Sequence, residues 1–316
     1  MTGVQTCALP ISTTDVVVIN SRPHVADKLD IGYDSLHELN PRLIYCSVTG
    51  FGPDGPYAER PAFDHVGQAL SGWMSRHRQD SDPRVVGPAI ADRVTGFYAA
   101  LGILSALHER HKSGVGRLVE VNMLEANIAL CMEPIVQYFA SAKAVPIHLR
   151  GAFSQAYSLT CKDGRRIGLH MSSPDKFWHG LCRVLGRQDW IQTYPKHSDR
   201  VKAYEFLATE LNRVFQTRER AEWAAALERE SVPFAPEHEV QDLEDDPQIR
   251  HLGVFYQLDH PQYGAVKMAR RPVHVDSSRD IDSRPPPGLG EHSEEILREA
   301  GLSRDHIERL RKSGII

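Results

Sequence analysis

Asn40-Pro-Arg-Leu-Ile-Tyr-Cys-Ser-Val-Thr-Gly-Phe-Gly-Pro-Asp-Gly-Pro-Tyr57 reads as a strand over residues 42–48 that runs into a loop rich in glycine and proline, residues 50–61. A second stretch, Gly116-Arg-Leu-Val-Glu-Val-Asn-Met-Leu-Glu-Ala126, has the same form: a strand over 118–123, then a helix over 125–139. Upstream, Val16-Val-Val-Ile19 is a short β-branched run, the signature of a strand covered on both faces. Helical segments fall between these strands, at residues 23–29, 35–39, 63–75 and 92–111. Strands that alternate with helices predict a parallel α/β sheet. Such a sheet places ligands beyond the carboxyl ends of its strands, and both quoted stretches carry their glycines and carboxylates there.

The longest predicted helix, residues 92–111, is capped by Asp92 and ended by Lys112-Ser-Gly114. Ala99, Ala100, Gly102 and Ala106 make it thin, and Val94, Phe97, Leu101, Leu104 and Leu107 make it apolar on most faces, the pattern of a buried helix. Residues 76–88 are polar and read as a surface loop. The texture changes after about residue 150. Residues 156–161 and 165–170 flank Lys162-Asp163-Gly164, a hairpin signal. Helices follow at 172–185, with Pro174 in the first turn, and at 218–230, capped by Thr217. Residues 255–258 and 266–270 read as further strands. Residues 285–292 are extended, and helices follow at 293–300 and 303–312. The expected organisation is a Rossmann-like large domain over 12–152, a small α+β domain over 153–250 and a tail, 251–316, that returns to the large domain.

The chain has 316 residues, 41% hydrophobic and 25% charged, which is enough for a substantial core. A net charge of −4 argues against nucleic acid as a partner. No uninterrupted apolar run reaches the roughly 18 residues of a membrane span, so no membrane partner is expected. The five cysteines are scattered, without metal-ligand spacing, and read as reduced thiols of a cytoplasmic protein. The sixteen histidines form no HExxH motif or Cys/His cluster, so no metal site is expected. Residues 1–11 match neither a signal peptide nor a structural element. They look like translated sequencing adapter and are set aside as a non-native leader.

Three carboxylates draw notice. Glu125 stands at the junction of strand and helix, where the helix dipole stabilises its charge. Asn122-x-x-Glu125 is also a capping-box pattern, so both a reactive and a capping role are open. Glu120 lies on the strand, its Val119 and Val121 neighbours facing the opposite way, and reads equally as a hydrogen-bonded strand carboxylate. Asp64 is either a site acid or the N-cap of the helix after it. The loop Gly50-Phe-Gly-Pro-Asp-Gly-Pro56 lacks the GK[ST] of a P-loop and the GxGxxG of a dinucleotide fold. Its glycines still allow close backbone approach to a ligand.

In this order, with Ala62-Phe63-Asp64 and the apolar helix between them, the two quoted stretches resemble the class III CoA-transferases, the CaiB/BaiF family. The resemblance covers essentially everything after the leader. It implies a Rossmann-like large domain with an inserted small domain, and a homodimer of two interlocked rings. It implies coenzyme A as acyl-CoA substrate, with no tightly bound cofactor. Family members begin with a further α/β segment upstream, so this chain is expected to be truncated at its N-terminus. In the transferase branch an acid at the position of Glu125 attacks the thioester. The usual residue there is Asp; Glu moves the reacting oxygen by about 1.5 Å. In the racemase branch the working acid sits at Glu120, and a His precedes the counterpart of Asp64. Here that position is Phe63, which cannot move a proton, and His65 points elsewhere.

The same resemblance places CoA phosphates near Asn20, Arg22 and Lys28, through Asn20-Ser-Arg-Pro23 and the basic residue after it. As lone residues, Arg22 and Lys28 read as solvated charges. It places the thioester beside Gly50, Phe51 and Gly52, and an acyl pocket beside Phe63 and Tyr57. The glycine-rich loop that folds over the site of formyl-CoA transferases has no counterpart in Arg150-Gly-Ala-Phe-Ser-Gln-Ala-Tyr157, which counts against formyl and oxalyl substrates. The expected activity is CoA transfer between an acyl-CoA and a carboxylic acid through a covalent carboxylate. The alternatives are an α-methylacyl-CoA racemase or epimerase, and an inactive CoA-binding fragment.

Overall fold

The computed structural model describes residues 11–77, 82–85, 87–172, 174–278 and 284–316. The segment expected to be a non-native leader falls outside these residues except for Ile11. Ile11 packs against the cluster of Leu36, Leu43 and Tyr45, and its carbonyl accepts from Asn40 Nδ2 at 3.1 Å, so it belongs to the packed structure. Contacts divide the chain into two compact units, Met1–Val145 with Leu289–Ile316, and Pro146–Gly288. The sequence reading sets these divisions at 152/153 and 250/251. The later return to the first unit puts residues 251–288, with their β-hairpin, in the second.

The first unit is built on a three-stranded parallel sheet, β1 Val16–Asn20, β2 Ile44–Thr49 and β3 Leu118–Asn122, in the order β1-β2-β3. Between β1 and β2 lie α1 Pro23–Lys28 and α2 Tyr33–Leu39; between β2 and β3 lie α3 Asp64–Leu70, α4 Trp73–His77 and α5 Ile90–Ser113. The sheet continues into α6 Met123–Leu130 and α7 Met132–Ser141. Asn20, Val48 and Val121 stand side by side in the register, so all three strands end at one edge. Alternation puts Val17, Tyr45 and Leu118 on one face with Glu120 and Asn122. That face carries the Leu36–Leu43–Tyr45 cluster. The other face meets α5, where Gly102 is required: a Cβ there would lie 2.6 Å from Val119 Cγ1.

Three helices of the first unit break or begin away from where the sequence places them. Residues 63–75 break into two at Gly72, whose φ is +86°, a left-handed value that suits glycine. Residues 125–139 break at Cys131 because Pro134, in the first turn of α7, cannot donate to the carbonyl of residue 130. The third, α5, begins at Ile90, so Asp92 stands in its first turn rather than capping it. Nor is α5 buried. Ala91, Thr95, Ala99 and Ala106 are, while Phe97 and Leu104 stay 65% and 62% exposed. By length and composition α5 could cross a membrane, although its apolar residues do not form one unbroken run. Direct packing on β2 and β3 argues against that, since hydrocarbon excludes open sheet edges.

The second unit holds α8 Leu149–Ser154, then a sheet β4 Ala156–Thr160, β5 Arg166–His170 and β6 Phe234–Glu237, antiparallel throughout. The expected hairpin is present, with Gly164 at φ +74° in its turn. Helices α9 Asp175–Leu185, α10 Asp189–Thr193, α11 His197–Lys202, α12 Tyr204–Phe215 and α13 Arg220–Arg229 join β5 to β6; α9 begins three residues later than expected, with Pro174 as its N-cap and not in its first turn. Helix α13 starts two residues later than predicted and is capped by a Glu219–Glu222 capping box, not by Thr217. The core holds Trp178, Leu181, Trp190, Leu207, Phe215 and Trp223. After β6 come a 3-10 turn Val240–Asp245, α14 Pro247–His251 and the hairpin β7 Phe255–His260 with β8 Gly264–Ala269. Helices α15 Ser293–Glu299 and α16 Arg304–Lys312 end the chain in the first unit.

The described cysteines, Cys46, Cys131, Cys161 and Cys182, are buried and free. Burial raises all four thiols, that of Cys182 to about 12, which makes them poor nucleophiles.

Candidate active site

Three connections leave the carboxyl edge of the parallel sheet, and hydrogen bonds tie them together. After β2, Gly52 N–H donates to Thr49 Oγ1 at 3.1 Å, which folds the loop back on the strand end. Gly50 sits against Ala62, with room for no side chain: a Cβ on it would lie 2.3 Å from the Ala62 Cβ. The Gly50 carbonyl accepts from Leu124 N–H at 3.2 Å. The glycine loop therefore grips the first turn of α6, one residue from Glu125. After β1, Arg22 Nη1 donates to the carbonyl of Glu59 at 3.3 Å, and the Glu59 carboxylate pairs with His24. The far end of the glycine loop is thus held to the start of α1.

Glu125 is the exposed carboxylate at this junction. Asn122 is the N-cap of α6, and its Oδ1 accepts from Glu125 N–H at 2.8 Å. The expected capping box is modified. Glu125 reaches the Asn122 side chain instead of its backbone amide, and Asn122 Nδ2 donates to Glu125 Oε2 at 2.7 Å. One oxygen of Glu125 is engaged, and no hydrogen bond reaches Oε1 among the described residues. Asn122 itself is buried, so its side chain is a fixed mount. Read from sequence only as a cap, Asn122 is the site residue whose second role was missed. The N-x-x-E spacing was its signal.

Glu120 is exposed, two residues before Asn122 on the same face of β3. Asp64 is buried and caps a different helix from the one expected. Phe63 is the N-cap of α3, while Asp64 Oδ2 accepts from the backbone N–H of Asp92 in the first turn of α5 at 2.9 Å, and Oδ1 accepts from Gln68. Burial, and then the Asp64 charge, raise the Asp92 carboxyl above its usual range. Asn20 and Lys28 are exposed at the end of β1 and of α1. Phe51 meets the Tyr57 ring edge-on at 5.9 Å, and the Arg60 guanidinium lies 3.7 Å from the Tyr57 ring centre. Phe63 is 78% exposed. The structure thus gathers Gly50, Gly52 and Glu125 directly and Arg22 through Glu59. Among the described residues, no hydrogen bond joins Phe63, Lys28 or Asn20 to that group. Among the described residues no cluster of three or more His, Cys, Asp or Glu could hold a metal.

Comparison with known proteins gives a consistent picture. The model of CoA-transferase family III matches residues 7–293. A succinyl-CoA:mesaconate CoA-transferase of Haloarcula marismortui is 32% identical, over 92% of this chain and 75% of its own. A mouse succinyl-CoA:glutarate CoA-transferase is 28% identical, over 96% of this chain and 70% of its own. The crystal structure of a CaiB/BaiF family protein from Brucella suis superposes with a TM-score of 0.78 at 30% identity, over 94% of this chain and 78% of that one.

Proposed function

The chain belongs to CoA-transferase family III, and from that premise we propose that it moves CoA between an acyl-CoA and a free carboxylate with Glu125 as covalent nucleophile. The observation that carries this reading is the pair of bonds at Glu125: one oxygen pinned by Asn122, and the turn itself pinned to Gly50. A carboxylate held at the carboxyl edge of a parallel sheet, with one oxygen open, has the form of a positioned nucleophile.

Glu125 Oε1 adds to the thioester carbonyl, the C–S bond breaks, and CoA departs as thiolate, leaving a mixed anhydride. The thiolate then adds to Glu125 Cδ and expels the first acid, giving an enzyme–CoA thioester. A second carboxylate runs the same steps backwards. One difficult transfer becomes four easier steps. Gly50, Phe51 and Gly52 offer backbone beside the thioester, Arg22, Lys28 and Asn20 meet the CoA phosphates, and Tyr57 and Phe63 wall the acyl group. Phe63 has no ionisable group, which favours acyl transfer over proton exchange at the α-carbon. The proposed working form is a homodimer in the cytoplasm; the apolar stripe left open on α5 supports the dimer.

Because the two relatives above are named for succinyl-CoA, succinyl-CoA with glutarate or mesaconate is the first pair to assay. The test is hydroxylamine trapping. Incubation with succinyl-CoA and hydroxylamine yields a hydroxamate on the peptide that contains Glu125, and Glu125→Gln loses both the adduct and turnover. A hydroxamate elsewhere, or Glu125→Gln turnover within tenfold of wild type, overturns the assignment.

A further inference from the structure

We propose that Asn122 is a catalytic residue: its Nδ2–H is the oxyanion donor when CoA thiolate attacks the carboxyl carbon of Glu125. This rests on the covalent reading of Glu125 given above and adds a second role to a residue otherwise explained as a helix cap.

The geometry assigns the atoms. The Asn122 amide can satisfy both its bonds in one orientation only, with Oδ1 on Glu125 N–H at 2.8 Å and Nδ2 on Oε2 at 2.7 Å, because the other orientation sets donor against donor and acceptor against acceptor. Oε2 is therefore the held oxygen and Oε1 the attacking one. In the mixed anhydride Oε1 bridges to the acyl group, and Oε2 is the carbonyl oxygen of Glu125. When the thiolate adds to Cδ, the electron pair of the Cδ–Oε2 double bond moves onto Oε2. The negative charge develops on the atom that Nδ2–H already faces. Collapse restores the double bond, breaks Cδ–Oε1 and releases the first acid as carboxylate with Oε1. The thioester formed keeps Oε2 as its carbonyl oxygen, and the acceptor's attack on it uses the same donor. A buried, preorganised donor aimed where charge develops lowers the barrier without reorganising. Asn122 is buried and fixed by its cap bond, which meets both conditions.

Capping and oxyanion binding can be separated. Asn122→Ser keeps an N-cap acceptor for Glu125 N–H but has no N–H to give Oε2. With succinyl-CoA and glutarate, Asn122→Ser is expected to lower kcat by roughly a hundredfold, with KM for succinyl-CoA and the melting temperature unchanged. Rapid mixing with succinyl-CoA, read by intact-protein mass spectrometry, shows the enzyme–CoA adduct forming slower by the same factor. Asn122→Asp can donate only while protonated, so its residual kcat rises toward acid where that of the wild type does not. Turnover by Asn122→Ser within threefold of wild type, beside an inactive Glu125→Gln, overturns the oxyanion role and leaves the nucleophile standing. An active Glu125→Gln overturns both.

Discussion

The backbone N–H of Leu124 donates to the carbonyl of Gly50 at 3.2 Å, so the glycine loop after β2 is tied to the first turn of the helix that carries Glu125. Gly50 has no space for a side chain, since a Cβ there would lie 2.3 Å from that of Ala62. Gly50→Ala must push the loop away from residue 62 and stretch the bond to Leu124. Overpacking of this kind costs about 1–3 kcal/mol. The displacement also reaches the nucleophile, where a shift near 1 Å can cost about a hundredfold in rate. Thermal melting and kcat should therefore fall together in Gly50→Ala. A variant that melts like the wild type and turns over at full rate would show that the loop does not position Glu125.

Asp64 bridges two helices, accepting from Asp92 N–H and from Gln68. Asp64→Ala leaves the Asp92 N–H without this acceptor and Gln68 with only the Pro88 carbonyl at 3.4 Å, at about 1–3 kcal/mol for an unsatisfied group. Asp64→Asn keeps an oxygen for Asp92, but Gln68 must turn over to meet the new N–H and so gives up its 3.4 Å bond to the Pro88 carbonyl, which sets the cost near that of one hydrogen bond, about 1 kcal/mol. Denaturant unfolding of the two variants measures this directly. Equal losses would mean that the negative charge, not the hydrogen-bond pattern, is what the site needs.

The parallel sheet was legible because its signals are local: β-branched runs, glycine turns, and a strand that ends in a cap. The strand-to-turn junctions at Gly50 and at Asn122–Glu125 were legible for the same reason, whereas a reactive role for Glu125 came only from the family resemblance. The grip between the two junctions was not legible, because a bond between residues 50 and 124 has no signature in either stretch. Asp64 shows the limit most clearly. Its sequence position fits an N-cap for the helix after it, and only the fold brings it to a helix that starts 26 residues later. The exposure of α5 was missed for another reason. Apolar periodicity tells which faces avoid water and not what covers them; here the thin alanine face meets the sheet and the bulkier face stays open.

In the second unit Arg200 is 1% exposed and donates to Asp175 Oδ1 at 2.6 Å, with the carbonyls of Tyr194 and Pro195 at 3.3 Å. That hydrogen bond holds the Asp175 carboxyl below its usual range. A carboxylate with a lowered native value stabilises the fold above its unfolded value, near 4, and the contribution is lost as pH falls through the native value. Asp175 is 59% exposed, so solvent screens the pair and the expected cost of Asp175→Asn at neutral pH is only about 1–2 kcal/mol. The gap between wild type and Asp175→Asn should narrow as the pH is lowered below about 4. Parallel stability curves at every pH would show that ionisation of Asp175 is irrelevant.

Phe97, Leu101 and Leu104 fall at i, i+4 and i+7 on α5 and remain 65%, 45% and 62% exposed. An apolar stripe of this kind is a candidate protein contact. In the proposed homodimer it is buried, and a charge placed there has no partner. Burying an unpaired carboxylate costs several kcal/mol, enough to dissociate a dimer that packs on this stripe. Phe97→Glu with Leu104→Glu should therefore convert a dimer into a monomer by light scattering. The effect on melting should depend on protein concentration in the wild type and vanish in the double variant, because association stabilises by mass action. A wild-type chain that is monomeric at every concentration, or a double variant that remains dimeric, rules this face out as the contact.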